Sequence, residues 1–193
     1  PDPVIGVDEV GRGCLAGAVV SSAVYLKSEI GDQDFRDSKL LSEKKRKELS
    51  DLIITHHEFA IGIATPEEID EINILQASLL SMKRAIEALA LKMNLRRAHF
   101  LIDGIFKIPD LKVEGCTQIP IKKGDQRVSV IAASSIVAKV YRDDWMTKLS
   151  FEFPQYGFDQ HKGYSSAAHK KNIEIHGPTE IHRKSFRGVK EFI

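Results

Sequence analysis

Apolar residues occur in short runs that alternate with longer stretches of helical spacing. The first run, Val4 to Val7, is β-branched and ends in acids and glycines, and Gly17 to Leu26 has the same strand character. Phe59 to Ala64 and His99 to Ile102 are further short runs of this kind. Together these runs predict the strands of a central sheet.

Stretches with helical periodicity of apolar residues lie between and after these runs. Serine and proline near their starts are residues favoured at helix N-termini. A segment that contains Pro109 and Pro120 precedes the third stretch, and the third stretch ends before Pro154. The predicted helices cover about Ser42 to Ile53, Pro66 to Leu91, Gln126 to Leu149 and Ser166 to His176.

This order of elements predicts a mixed α/β fold in which helices flank a central sheet. The chain contains no internal repeat, linker or low-complexity tract. We therefore expect residues 1–193 to form a single domain, of which about 155–193 is a C-terminal helical extension.

The composition mainly excludes classes of protein. The 193 residues carry 28 Lys+Arg, 27 Asp+Glu and two cysteines, which is typical of a globular protein rather than a disordered chain or a disulfide scaffold. The longest apolar stretch, Val128 to Tyr141, is interrupted by polar residues and is shorter than the ~18 residues of a spanning helix. No signal peptide is recognisable. We expect a cytoplasmic protein with no membrane partner.

Charge is distributed unevenly although the formal net charge is +1. From His161 to Ile193 there are seven lysines and arginines but three acids, and four of the seven histidines lie there. This excess indicates that something acidic docks on the C-terminal end, and a solvated helical surface is the alternative.

Acids follow two of the predicted strands. Asp8 and Glu9 come at the carboxyl end of the first strand and precede a Gly-x-Gly turn, and Asp103 ends the run that begins at His99. Sites in α/β sheets collect at the carboxyl ends of strands, so these acids converge if the two strands are neighbours.

Asp125 is a fourth candidate, placed directly before the long helix, where a helix N-cap is the alternative role. A cluster of three or four carboxylates repels itself unless cations offset the charge. Such a cluster therefore predicts a hard divalent metal, Mg²⁺ or Mn²⁺. No Cys/His spacing resembles a zinc site.

Three further motifs have both a functional and a structural interpretation. The turn Gly11-Arg12-Gly13 allows close backbone approach to a ligand and offers an arginine for phosphate, but it is also an ordinary tight turn. Asp37-Ser38-Lys39 is ambiguous by itself. Tyr164 follows Lys162 and Gly163, and an aromatic ring beside a cation suits nucleic acid as well as a surface loop.

Taken in order along nearly the whole chain, these motifs resemble the bacterial ribonuclease HII family. The residues that carry the resemblance are Asp8 to Gly13, Asp37 to Lys39, Leu101 to Gly104, Lys123 to Asp125, Ile131 to Asp143, His161 to Tyr164 and Gly177 to Phe186.

The resemblance implies a ribonuclease H-like fold and a metal-dependent endonuclease. Its substrates would be the RNA strand of RNA/DNA hybrids and single ribonucleotides embedded in duplex DNA, cut on their 5′ side to give 5′-phosphate and 3′-hydroxyl ends. Two ions of Mg²⁺ or Mn²⁺ would serve the reaction. We expect a monomer that acts in replication and repair.

The resemblance also assigns residues. The catalytic and metal-binding carboxylates would be Asp8, Glu9, Asp103 and Asp125. Substrate would be bound by Gly11, Arg12 and Gly13 at the 2′-hydroxyl, by Lys39 at a phosphate, by Tyr164 at the RNA-to-DNA junction, and by the C-terminal extension.

The chain departs from the family pattern at Ala18, where proline is usual, and at Leu40, where a second lysine is common. Neither departure affects a metal ligand. We expect no additional N-terminal domain, which would disfavour the sister family, ribonuclease HIII.

Two other functions use the same features. A non-catalytic nucleic-acid-binding module would make the acids structural, which the costly burial of Asp103 opposes. A junction-resolving nuclease needs a strongly basic dimer face, which the sequence lacks.

Overall fold

The computed structural model describes residues 2–27, 35 and 41–193. The predicted Asp37-Ser38-Lys39 motif, and with it the Lys39 phosphate contact, lies outside the described residues. The strands are β1 (Val4–Val10), β2 (Val19–Tyr25), β3 (Glu58–Ala64), β4 (Ala98–Asp103) and β5 (Cys116–Ile121). The helices are α1 (Glu43–His56), α2 (Pro66–Met93), α3 (Ser129–Glu152), α4 (Phe158–His161) and α5 (Ala167–His176).

The five strands form one mixed sheet in the order β3-β2-β1-β4-β5. β2 pairs antiparallel with both β1 and β3, whereas β4 pairs parallel with β1 and β5. In the register of β1 and β4, Val7 lies opposite Ile102. The carboxyl ends of these two strands therefore meet at the same edge of the sheet.

Helices cover both faces of the sheet. The alternation of β2 shows this directly, because Ala23 packs into the core beneath α2, whereas Val24 packs with α1 and α3 on the opposite face. The predicted fold class, a ribonuclease H-like mixed sheet flanked by helices, is confirmed.

Helix starts agree closely with the sequence signals. Ser42 caps α1 by accepting a hydrogen bond from the backbone of Lys45, and Ser166 caps α5 in the same way. Thr65 and Glu68 form a capping box at the start of α2. These short polar side chains satisfy backbone N–H groups that a first helical turn leaves without partners.

Three elements differ from the sequence prediction. The short helix α4 was not predicted. β5 was not predicted, because Pro120 and the alternating exposed positions of this edge strand give no apolar run. The long helix begins at Ser129 rather than near Gln126, because Gly124–Gln126 forms a separate 3₁₀ turn.

The C-terminal segment packs around its own apolar cluster. Tyr156, Phe158 and Ile173 are buried there against Leu15 and Ala16 of the loop that follows β1. The segment thus contacts the loop that carries the predicted Gly-x-Gly turn. Among the described residues, the helices are too short or too polar to cross a membrane.

Candidate active site

Three predicted carboxylates meet at the shared edge of β1 and β4. Asp8 follows Val7, and Asp103 follows Ile102, so the parallel register places the two acids side by side. A ligand oxygen from each of Asp8, Glu9 and Asp103 lies within 4.8 Å of the others. The convergence that the strand-end acids predicted is therefore present.

Burial and mutual repulsion destabilise the charged state of this group. Burial raises the pKa of Asp8 well above its ordinary value, and the negative charges of Glu9 and Asp103 raise it further. Burial also raises the pKa of Glu9, although Arg12, whose guanidinium lies 3.4 Å from the Glu9 carboxylate, acts in the opposite direction. The cluster consequently gains stability from a bound cation.

Helix α3 lies against the strand that carries Asp8. The Ser135 side chain acts to lower the pKa of Asp8, against the larger effect of burial. The helix approaches β1 closely because Gly6 has no side chain; a Cβ there would lie 2.1 Å from the Val130 carbonyl oxygen. Ser134 is buried and bonded to Ser22, whereas Ser135 points into the site.

Asp125 is buried in the 3₁₀ turn that follows β5. The N-cap position of the long helix belongs to Val128 and not to Asp125. The preceding residue, Gly124, donates its backbone N–H to Asp103 Oδ1 at 2.6 Å. Within the described residues, the close carboxylate group is Asp8, Glu9 and Asp103, and a ligand role for Asp125 stays a prediction.

The carboxylates open into a cavity of about 440 Å³. Gly11, Arg12 and Tyr164, all predicted to contact substrate, line the same cavity. Arg46 and Lys139 also line it and were not predicted. The spacing of Ser135 and Lys139, four residues apart on one helix face, is the sequence signal that could have identified Lys139.

The turn at Gly11 to Gly13 is held from beneath by two buried arginines. Arg183 donates hydrogen bonds to the carbonyl oxygens of Gly11, at 2.7 Å, and of Arg12, at 2.9 Å. Arg142 packs against Gly11, where φ is +95° and a Cβ would lie 2.3 Å from the arginine Nε. Gly11 is therefore required by the fold itself.

Gly13 differs from Gly11. A Cβ on Gly13 would meet no atom within 4 Å. Gly13 is exposed and lines a second groove, together with Lys170 and Arg187, outside the carboxylate cavity.

Tyr164 is 39% exposed and has cations against its ring. Lys139 Nζ lies 5.2 Å and the Arg142 guanidinium carbon 5.8 Å from the ring centroid. Both distances are typical of cation–π contacts, which hold the ring while leaving part of it open to the cavity.

The basic C-terminal end is only partly a surface feature. Arg183, counted among its seven cations, is fully buried and bonds to the turn, so it does not face a ligand. The exposed cations of this end are Lys170, Lys171, Lys184, Arg187 and Lys190.

Comparison with known proteins agrees with the geometry of the site. The family model for ribonuclease HII matches residues 5–189. The chain belongs to the ribonuclease HII family. Ribonuclease HII from Desulfotalea psychrophila is 49% identical over 195 residues, covering 100% of this chain and 84% of the relative. Ribonuclease HII from Parabacteroides distasonis is 48% identical over 94% of this chain and 88% of its own length.

A solved structure extends the comparison. Ribonuclease H2 from Pyrococcus horikoshii OT3 superposes with a TM-score of 0.77 at 26% identity, over 98% of this chain and 96% of that one. The chain is therefore a metal-dependent endonuclease of the ribonuclease H class, and not a non-catalytic binding module.

The donor set fits the divalent metal on which the family depends. Asp8, Glu9 and Asp103 offer hard carboxylate oxygens within 4.8 Å of one another, and a hard cation prefers such ligands. Since burial disfavours the charged forms of Asp8 and Glu9, a bound cation would offset a cost that the fold imposes.

Proposed function

We propose that this enzyme cleaves on the 5′ side of single ribonucleotides embedded in duplex DNA, as well as the RNA strand of RNA/DNA hybrids. The observation that carries the proposal is the shared cavity: Gly11, Arg12 and Tyr164 line the same space as the three carboxylates. A 2′-hydroxyl is the only group that marks a lone ribonucleotide, so its recognition must occur next to the bond that is cut.

The carboxylates provide the chemical centre of the proposal. Asp8, Glu9 and Asp103, with Asp125 as a further candidate, would hold two Mg²⁺ or Mn²⁺ ions, which activate water and offset charge on the leaving 3′-oxygen. The Glu9 backbone N–H, 2.7 Å from Asp8 Oδ1, orients Asp8, and the Gly124 N–H orients Asp103. The products carry 5′-phosphate and 3′-hydroxyl ends.

Cations around the cavity would contact the phosphates beside the scissile bond. Arg12 has a half-exposed side chain and a long 3.4 Å contact to Glu9, which leaves its guanidinium available to a phosphate. Lys139 and Arg46 line the same space from α3 and α1.

The duplex would continue from the cavity across the C-terminal surface. The second groove begins at Gly13 and contains Lys170 and Arg187, so basic side chains lie directly beyond the turn. Exposed lysines and arginines along a groove bind phosphates largely without regard to sequence. Residues of about 155–193 therefore supply affinity for the duplex.

Product mapping tests the proposal. The substrates are a DNA duplex with one ribonucleotide at a known position, the same duplex without it, and a uniform RNA/DNA hybrid. We expect one cut, 5′ of the ribonucleotide, only with Mg²⁺ or Mn²⁺, and no cut in the all-DNA duplex. Cleavage of the hybrid alone would contradict recognition of single ribonucleotides while leaving the family activity intact.

The preference between Mg²⁺ and Mn²⁺ is open to the same assay. The monomeric state and the cytoplasmic location stay predictions, to be tested by light scattering and cell fractionation.

A further inference from the structure

A chain of hydrogen bonds runs through two buried histidines behind Tyr164. The Thr179 backbone N–H donates to His182 Nδ1 at 3.0 Å, so the proton of His182 lies on Nε2. That Nε2 is 3.1 Å from His169 Nε2, which must accept. His169 then carries its proton on Nδ1, which donates to the Tyr164 carbonyl oxygen at 2.9 Å. One set of tautomers, with both rings neutral, satisfies every contact.

The backbone that this chain reaches has an unusual conformation. Lys162 and Gly163 precede Tyr164, and both have positive φ, +50° and +81°. A third histidine supports this segment, because the His161 ring stacks on His169 at 4.3 Å and its Nδ1 accepts the Gly163 N–H. Two consecutive residues in the left-handed region keep that shape only when their surroundings fix it.

Arg183, the residue after His182, holds the Gly11-Arg12 turn in place. Arg183 donates to the carbonyl oxygens of Gly11 and Arg12 and, twice, to that of Gly17. His182 and Arg183 are at most 1% exposed. Two adjacent buried residues thus connect to the Tyr164 backbone in one direction and to the Gly11-Arg12 turn in the other.

We propose that His169 and His182 are positioning residues that fix Tyr164 relative to the Gly11-Arg12 turn and thereby set the preference for a single ribonucleotide over a uniform hybrid. This inference rests on the proposed function, since it concerns how that site discriminates. Burial lowers the pKa of both His169 and His182 to about 4, so at neutral pH both rings are in the neutral state that the hydrogen bonds need.

Two substitutions of His169 separate positioning from packing. His169→Asn keeps an N–H near the Nδ1 position and so keeps a donor for the Tyr164 carbonyl. His169→Gln places its amide near the Nε2 position and removes that donor. The quantity measured is the ratio of kcat/KM on the single-ribonucleotide duplex to kcat/KM on the uniform hybrid.

We expect His169→Gln to lower this ratio by about tenfold, the scale of one lost stacking contact, and His169→Asn to keep most of it. In the double variant with Tyr164→Ala, the ratio should equal that of Tyr164→Ala alone, because both changes act through the same ring. Equal losses on both substrates for His169→Gln, or additive effects in the double variant, would overturn the proposal.

Amide hydrogen exchange gives a second measurement that needs no turnover. In His169→Gln the amides of Leu15 and Ser166, which bond to the Gly163 and Tyr164 carbonyls, should exchange faster, while Phe100 in the core stays protected. Unchanged exchange at Leu15 and Ser166 would also overturn it. A wild-type enzyme with no activity on the single ribonucleotide would instead refute the proposed function.

Discussion

Gly124 donates its backbone N–H to Asp103 Oδ1 at 2.6 Å, and this bond joins the turn after β5 to the end of β4. It fixes one oxygen of a carboxylate that also belongs to the close acidic group. Asp125, the next residue, is consequently held near the site without being one of the three clustered acids. The strand that positions this turn, β5, had no signal in the sequence.

The clustered acids should be essential for turnover, and their charges should lower the stability of the metal-free protein. Asp8→Asn and Asp103→Asn should each lower kcat by more than about 100-fold, since changes around metal ligands alone cost 10- to 100-fold. Because burial and repulsion raise the pKa of Asp8, Asp8→Asn should raise Tm of the metal-free protein by several degrees. Retention of a tenth of the wild-type rate in Mg²⁺ would remove that residue from the catalytic set.

The two glycines of the turn should respond differently to alanine. Gly13→Ala should keep its Tm, because nothing lies within 4 Å of the new methyl group. It should lose about tenfold in activity on the single ribonucleotide, the cost of one hydrogen bond of about 1.4 kcal/mol. Gly11→Ala should instead lower Tm, because its Cβ would collide with Arg142. Full activity in Gly13→Ala would show that Gly13 does not contact the substrate.

Exposed lysines of the C-terminal surface should affect binding rather than chemistry. Replacing Lys170, Lys171 and Lys184 with glutamine should raise KM and reduce the slope of log K against log salt by about one unit per lost phosphate contact. Lys92→Gln serves as the control; Lys92 lies in the last turn of α2, and its Nζ bonds to the Phe59 carbonyl oxygen near the start of β3. Equal salt slopes in the triple variant and the control would show that this surface faces away from the duplex.

Acid should destabilise the protein through the buried histidines. Burial lowers the pKa of His169 and His182 to about 4, below the ordinary value of 6.5. Below pH 6.5 these two histidines bind protons in the unfolded chain but not in the folded chain until about pH 4, so their contribution lowers the free energy of unfolding across this window. The raised pKa values of Asp8 and Glu9 act in the opposite direction, so the histidine contribution is measured as the difference between a variant and wild type. His161, at the end of α4, is an ionisable group that acts on both His169 and His182.

Denaturation with urea at several pH values measures this effect. Each titrating histidine contributes up to about 1.4 kcal/mol per pH unit, so His182→Gln should show a shallower dependence than wild type. His176→Gln, at an exposed position, should leave the dependence unchanged. A pH dependence in His182→Gln that equals that of wild type, or is steeper, would contradict the neutral histidine chain.

Local patterns in the sequence account for the parts of the site that lie on strands. Val4 to Val7 and His99 to Ile102 are apolar because these strands are buried, and a carboxylate directly after such a run stands out. Their parallel pairing then brings Asp8 and Asp103 together. The starts of α1, α2 and α5 were equally predictable, because caps such as Ser42 act within three residues. The start of α3, which has no side-chain cap, was not.

The buried residues that hold the site in place had no comparable signal in the sequence. Arg142 and Arg183 belong to a residue type that is usually exposed, yet both are buried and bond to carbonyl oxygens more than a hundred residues away. Main-chain acceptors leave no trace in a sequence, so only the assembled fold reveals these arginines as supports of the turn. The histidine chain was hidden for the same reason, since its last acceptor is the Tyr164 carbonyl.

Parallel cleavage of a single-ribonucleotide duplex and a uniform hybrid by wild type and Tyr164→Ala tests the central claim most directly. The ring lines the carboxylate cavity and should stack beside the junction, a contact worth about 1–3 kcal/mol. We predict that Tyr164→Ala loses at least about fivefold more activity on the single ribonucleotide than on the hybrid. Equal losses on the two substrates would contradict the claim and leave Tyr164 as a packing residue.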